Sequence, residues 1–383
     1  MPTLTEEQIR EKIISGEING ISIDTSIFDR YKCNLEFPLL RKLDQFKSEP
    51  TKVVFSEIVA SEVKRHISRD AADAAAKLKT ALKNQLKKWH LPFDITEILN
   101  KTTNSLDSLE IATNQFEHYL KHVDGNIIPA ANDIKITSEV LNRYFSSTTP
   151  FENKGAKKNE FPDAFALLSL EAEFSDQEKM VLCVSADKGW AEFAKNSNSI
   201  ICVSELENAL SYFNDIEDET AEKIIQLLKD GNAQELLDEI SQTIERQLEN
   251  NDFIPDCQNG LDYDAEPYSA VIQNILLDSI SQLIVVEANE NDITFTFSVD
   301  VEVIFEAEFS FHAYDSIDKD YVHLSSEYAS IDKTLPYKII VTIDRDLNPE
   351  PSASNTAVSK NHLNIDFGYV EPFPNEDPNH ERY

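Results

Sequence analysis

What the chain lacks narrows its class. No run of about 18 uncharged apolar residues occurs, so no membrane-spanning helix is predicted, and Met1 to Gly16 is polar and charged, without the apolar stretch of a secretory signal. Cysteine is scarce. Cys33, Cys183, Cys202 and Cys257 lie far apart with no Cys-x-x-Cys pair, which predicts buried free thiols in a reducing cytoplasm rather than a disulfide framework. There is no internal repeat. Positive charge is short as well, with 35 Lys and Arg against 69 Asp and Glu in 383 residues. So acidic a balance excludes general adhesion to nucleic acid, where Lys and Arg must displace counterions from phosphates.

The acidic excess is uneven. Residues 214–383 hold 9 Lys and Arg against 37 Asp and Glu, a net of −28, whereas residues 1–213 hold 26 against 32, a net of −6. Such a length can bury more than one core, and Asn214 to Thr220 is a polar, acidic break. The sequence therefore predicts two domains, 1–213 and 214–383, that face different partners.

In the first domain, Thr5 caps a short helix over Glu6 to Ile14. A strand at Ile21-Ser22-Ile23 ends in Asp24-Thr25-Ser26, and a helix follows from about Leu35 to Phe46. Val53-Val54-Phe55 is the second strand, and Ser56 caps a helix buried through Ile58, Val59 and Val63. A separate helix is predicted from Ala71 to His90, another from Ile95 to His122, and a third, capped by Ser138, through Phe145. Together these make a helical insertion over about 69–160. Pro162 suits the first turn of the next helix, where its missing N–H costs nothing, and Asp163 lies in that turn. Met180 to Val184 reads as a strand buried on both faces, leading through Ser185-Ala186-Asp187 into a helix at Trp190. A last strand, Ser199 to Val203, and a helix capped by Ser204 complete the domain. Strands alternating with helices call for a parallel sheet between helix layers.

The second domain begins with a helical segment, Ala221 to about Leu248, followed by a loop over Asn250 to Pro267 and an amphipathic helix from Ser269 to Gln282. Five mostly antiparallel strands come next: Leu283 to Glu287, Asp292 to Asp300, Val301 to Ala313, Tyr321 to Tyr328 and Pro336 to Ile343. The fold class is thus a parallel α/β sheet with a helical insertion, followed by an α+β domain with a mainly antiparallel sheet.

Asp24, Glu62, Asp163 and Asp187 are far apart in sequence, yet all fall at strand ends or early in helices. In an open α/β sheet those positions converge on the crevice beyond the carboxyl ends of the strands. Four carboxylates in one cleft repel, and a divalent cation relieves the repulsion. Oxygen-only ligation favours Mg²⁺ or Mn²⁺ over Zn²⁺, and no Cys or His accompanies the set at zinc spacing. Such ions activate water against a phosphodiester, in pairs about 3.5–4 Å apart when two are bound.

At these residues the chain resembles the PIN-domain ribonucleases. The matching pieces are Asp24-Thr25-Ser26, the run from Val53 to Val63 with Glu62, Phe161-Pro162-Asp163-Ala164, and Val184-Ser185-Ala186-Asp187-Lys188-Gly189-Trp190. The resemblance covers roughly residues 18–213 and implies a Mg²⁺- or Mn²⁺-dependent endoribonuclease, the activity of many toxin–antitoxin toxins, with the four acids as catalytic and metal-binding residues. The chain departs from the compact toxins in the long stretch between Glu62 and Asp163, which leaves RNA and structure-specific DNA both open as substrate. The acidic second domain lies outside the resemblance; binding of a basic protein partner or inhibitor is the expectation that its charge supports.

Plainer readings stand beside these. Glu57 competes with Glu62 for the second acid. Ser185 serves either as a helix cap or in positioning water or metal, and Trp190 reads as core rather than as a stacking platform. Residues 51–90 carry nine Lys and Arg against four Asp and Glu. That basic run is either a solvated helix face or an RNA-backbone contact, with Lys64, Arg65 and Arg69 just after Glu62 and with Lys157 and Lys158 across the groove. His66 reads as a surface residue.

Overall fold

The computed structural model describes residues 4–89, 107–130, 134–151, 160–214, 219–249, 253–317, 319–345, 351–359 and 363–373. The chain divides into two compact units, Met1–Ile216 and Glu217–Tyr383.

The first unit is built on five parallel strands, β1 (Ile18–Ile23), β2 (Lys52–Ser56), β3 (Asn126–Ile128), β4 (Met180–Val184) and β5 (Ile200–Val203), in the order β3-β2-β1-β4-β5. Ile21, Ile23, Val53, Phe55 and Val181 to Val184 are buried, as strands covered on both faces require. From β1 the chain steps outward to β2 and β3, then returns to β4 on the other side of β1. That reversal places a topological switch point between β1 and β4, where crossovers leave to opposite sides and open a crevice at the strand ends.

Helices follow from local chemistry. In α1 (Glu6–Ile14), Thr5 and Gln8 form a reciprocal capping box, which satisfies two otherwise orphaned N–H groups. Asp24 caps α2 (Thr25–Arg30). Pro38 opens the four-residue α3 (Pro38–Arg41), and α4 runs unbroken over Glu57–Trp89. Phe28 on α2, Phe55 on β2, and Phe116 and Tyr119 on the helix Ser108–His122 form an aromatic cluster with ring centroids 6.0–6.3 Å apart. It packs the helix that follows the undescribed 90–106 segment onto the sheet.

Gly20 shows how closely a helix approaches β1. A Cβ there would lie 2.2 Å from the Phe174 ring, and Phe174 is itself buried. Gly20→Ala is expected to destabilise the protein by about 1–3 kcal/mol through overpacking; urea unfolding measures it, and an unchanged midpoint would mean the ring has room to move.

In the second unit β7 (Asp262–Leu276), β9 (Asp292–Asp315), β10 (Asp320–Asp344) and β11 (Ala353–Val358) form an antiparallel sheet ordered β11-β10-β9-β7, with β8 (Ile284–Ala288) also pairing β9. A parallel pair, β6 (Phe253–Asp256) and β12 (Leu363–Asp366), stands apart. Phe295, Phe297, Val299, Val301, Val303, Phe305, Ala307, Phe309 and Phe311 alternate inward along β9. They share one core with Ile224 and Leu228 of one helix and Leu236, Ile240 and Ile244 of the next, as period-2 alternation under a helix layer requires.

Several elements depart from the sequence expectations. The helix expected over 35–46 is α3 followed by a 3₁₀ turn, Lys42–Phe46, because left-handed Lys32 and Cys33 turn the chain first and Pro38 restarts it. The separate helix expected at 71–90 is the continuation of α4, since 57–89 contains no Gly or Pro to stop it. The insertion expected to be helical carries β3, too short at three residues for a period to show. Ser138 lies inside the helix Ile134–Ser146 instead of capping it, and Glu205, not Ser204, takes the N-cap position of the helix Leu206–Ser211. The single helix expected over 221–248 is two, Glu219–Lys229 and Gln234–Glu249, broken at Gly231 with φ +71°. The largest correction concerns the loop expected at 250–267 and the helix at 269–282, which are mainly the strands β6 and β7. Short apolar runs fit either period, and pairing decides for strand, of β6 with β12 and of β7 with β9. The strands expected at 292–300 and 301–313 are one, as are those at 321–328 and 336–343, and the tail contributes β11 and β12.

Candidate active site

Asp24 follows the last residue of β1, and its N–H donates to the Val184 carbonyl of β4 at 2.9 Å, which seats it directly at the switch point. The side chain is 5% exposed. Its Oδ1 accepts from the Thr25 N–H (2.7 Å), and its Oδ2 from the Ser26 N–H (3.3 Å), the Ser26 hydroxyl (2.6 Å) and the Ser185 hydroxyl (2.7 Å). Burial pushes this carboxyl above its ordinary range, while those hydrogen bonds pull the other way.

Thr25 ties the second acid to the first, its hydroxyl donating to Glu62 Oε2 at 2.9 Å. Glu62 sits on α4 with Arg65 3.7 Å from its other oxygen. Glu57 is engaged elsewhere, accepting from the Ala130 N–H at 3.0 Å.

Asp163 is in the first turn of the helix Phe161–Asp176, and the buried Trp190 indole donates to its Oδ1 at 3.0 Å. Asp187 caps the helix Lys188–Ala194, accepting from the Gly189 N–H. Ser185 links two of these acidic residues. Its hydroxyl accepts from the Asp187 N–H at 3.0 Å and donates to Asp24.

The four acids share one electrostatic field. Asp163 is pushed up to about 6 from an ordinary 3.8, first by burial and then by the charges of Asp24, Asp187 and Glu62, with the Trp190 hydrogen bond opposing. Among the described residues none of their triplets brings ligand atoms within 4.8 Å of one another, whereas Asp29, Cys33 and His66 do so. The ligand atoms of the four acids are therefore spaced more widely than those of a closed cage. The donor set is all oxygen. Asp163 and Asp187 are each held by a hydrogen bond to one carboxylate oxygen, which leaves the other to offer a hard dication, whereas the second oxygen of Glu62 faces Arg65.

Trp190 is the residue whose role the sequence obscured, because its burial as core and its hydrogen bond to Asp163 are compatible. Trp190→Phe keeps the packing and removes the donor, so a roughly 10–100-fold loss of cleavage is expected, the scale for losing an orienting partner of a ligand. Initial rates measure it, and wild-type activity would show that Asp163 needs no orienting.

The basic residues are less unified. Arg65 is 70% exposed beside Glu62, and Arg69 points to Asp70 at 3.3 Å. The Lys64 ammonium lies 5.9 Å from the centre of the Phe116 ring. Lys157 and Lys158 lie outside the described residues. His66 is more than the surface residue expected: its side chain is 19% exposed and meets Asp29 at 2.7 Å.

A parallel α/β sheet whose switch point is lined by carboxylates defines a class of fold suited to metal-assisted hydrolysis. The family model of the PIN domain matches residues 21–190; this part of the chain is a PIN domain, and the domain indicates a nuclease, typically metal-dependent. No curated protein and no solved structure matches the chain. Among the described residues no helix is long and apolar enough to cross a membrane.

Proposed function

We propose that the first unit is a Mg²⁺- or Mn²⁺-dependent endoribonuclease acting on single-stranded or looped RNA in the cytoplasm. The observation that carries the reading is the shared field of Asp24, Glu62, Asp163 and Asp187 at the β1/β4 switch point. A bound ion of this kind supplies Lewis acidity and an activated water. Asp24 is the fixed point of the site, held by Thr25, Ser26 and Ser185. Asp163 and Asp187 face it from two helix starts with an oxygen each to offer, and Glu62 completes the set through Thr25. Arg65, exposed at the cleft's rim, meets the phosphate backbone. A toxin or defence role belongs to the same reading and rests on the family alone.

Incubating the protein with structured RNA and Mn²⁺ or Mg²⁺, beside the Asp163→Asn variant, tests this. Cleavage by the parent alone is expected; equal cleavage by both would remove the assignment, and preference for flap DNA would redirect the substrate.

The net charge of −28 over residues 214–383 favours a second activity for the other unit, engagement of a basic protein partner or inhibitor. Binding to a basic protein that weakens steeply with salt is the expected result, and salt-independent binding would argue against it.

A further inference from the structure

A second cluster of ligating side chains lies away from the four acids. Asp29 is on α2, Cys33 follows that helix, and His66 is on α4, one turn beyond Glu62. His66 Nδ1 is 2.7 Å and Cys33 Sγ 3.4 Å from the same oxygen, Asp29 Oδ1, and the three ligand atoms all lie within 4.8 Å of one another. We propose that Asp29, Cys33 and His66 bind a divalent cation of the Zn²⁺ class, at a site distinct from the carboxylate cleft.

The donor chemistry selects the ion. One thiolate, one imidazole and one carboxylate are the ligand types of Zn²⁺, whereas Mg²⁺ and Mn²⁺ prefer oxygen alone. Thiolate and carboxylate together carry two negative charges, so a dication closes the balance. Binding exchanges the Cys33 S–H proton, released to solvent, for a sulfur–metal bond; no electron moves. The neutral imidazole ligates through Nδ1 and keeps its proton on Nε2.

The geometry is close to what is needed. A tetrahedral ion with the usual bond lengths sets its ligand atoms about 3.3–3.6 Å apart. The Cys33–Asp29 separation is already in that range, and the His66–Asp29 contact must open by roughly half an ångström. Cys33 is held in place by its own backbone, with φ +50° and its N–H donating to the Phe28 carbonyl at 2.8 Å. Asp29 is exposed, which gives the ion a way in from solvent. A fourth, solvent-facing position completes the shell.

The placement gives the site a consequence. The helix that starts at Asp24 ends beside this cluster, about 8 Å along its axis at 1.5 Å per residue, and α4 carries both Glu62 and His66. An ion here clamps together the two helices that present the first pair of acids.

Titrating the full-length, metal-free protein with Co²⁺ tests the proposal, because a cobalt–thiolate bond gives a near-ultraviolet charge-transfer band that oxygen ligands do not. A band saturating at one equivalent and displaced by Zn²⁺ is expected. It should be lost in Cys33→Ser and in His66→Ala and kept in Cys202→Ser and Asp163→Asn, with circular dichroism confirming that each variant is folded. Absence of the band in the parent, its survival in folded Cys33→Ser or His66→Ala, or its loss in folded Asp163→Asn would each overturn the assignment.

Discussion

Asp163→Asn is expected to lose RNA cleavage by roughly 10²–10³-fold, the scale for removing one group that stabilises transition-state charge, and yet to unfold at a higher temperature than the parent at neutral pH. The two effects have one cause. The folded protein raises this carboxyl from 3.8 to about 6, about two units at 1.36 kcal/mol each, so holding it ionised costs of order 2–3 kcal/mol. Below the unfolded pKa both states are protonated and there is no cost. Between the two values the folded state keeps a proton that the unfolded state has released, so stability falls as pH rises, and above the folded value the full penalty applies. Asparagine carries none of it.

The variant should therefore be more stable than the parent by about 1–2 kcal/mol at about pH 7.5, and no more stable at about pH 4. Urea unfolding in the presence of a chelator at both values measures this. A variant less stable at both would remove the burial of this charge, and its repulsion by the other acids, from the account of the site. Added Mg²⁺ or Mn²⁺ should reverse the ranking at neutral pH, since an ion that binds only the folded, ionised cleft stabilises the parent by mass action.

Asp24→Asn should also abolish cleavage, but with the opposite effect on stability. Every hydrogen bond of the Asp24 side chain is accepted by its carboxylate: from the Thr25 and Ser26 N–H groups and from the Ser26 and Ser185 hydroxyls. An amide must turn an NH₂ toward either the Thr25 N–H or the Ser26 N–H, placing donor against donor at a position 5% exposed. Relief of the desolvated charge offsets part of this, so a net loss of about 1–2 kcal/mol is expected, the size of an unsatisfied buried group. Thermal melting beside Asp163→Asn checks the pair. If both variants were stabilised equally, Asp24 would be one more repelling charge and not the hydrogen-bonded anchor of the cleft.

What could be read from the chain and what could not divide along physical lines. The strands β2, β4 and β5 were legible because buried parallel strands are written as apolar runs, β1 was legible only through Ile21-Ser22-Ile23, and Pro162, Ser56 and Asp187 mark helix starts by their own hydrogen-bonding chemistry. The strand β7 was read as the end of a loop and the start of a helix because a strand held by its neighbour need not carry a strong period of its own. The four acids could be listed from the sequence, as Asp24 and Asp187 follow strands, Asp163 opens a helix and Glu62 lies early in one. Choosing Glu62 over Glu57 as the partner in the cleft took the Thr25 hydroxyl on one and the Ala130 N–H on the other.

The amino-acid sequence by itself determined where charge and apolar surface are concentrated, and hence a parallel sheet with acids at its strand ends beside a second, strongly acidic domain. Local chemistry suffices for that, because burial period and capping act over a few neighbouring residues. Only the tertiary structure decided which distant side chains meet: the Trp190 indole on Asp163, the Ser185 hydroxyl between Asp24 and the Asp187 N–H, and Cys33 with His66 on one oxygen of Asp29. Trp190 reaches Asp163 across 27 positions, Ser185 reaches Asp24 across 161 and His66 reaches Asp29 across 37, and strand order and packing bring them together.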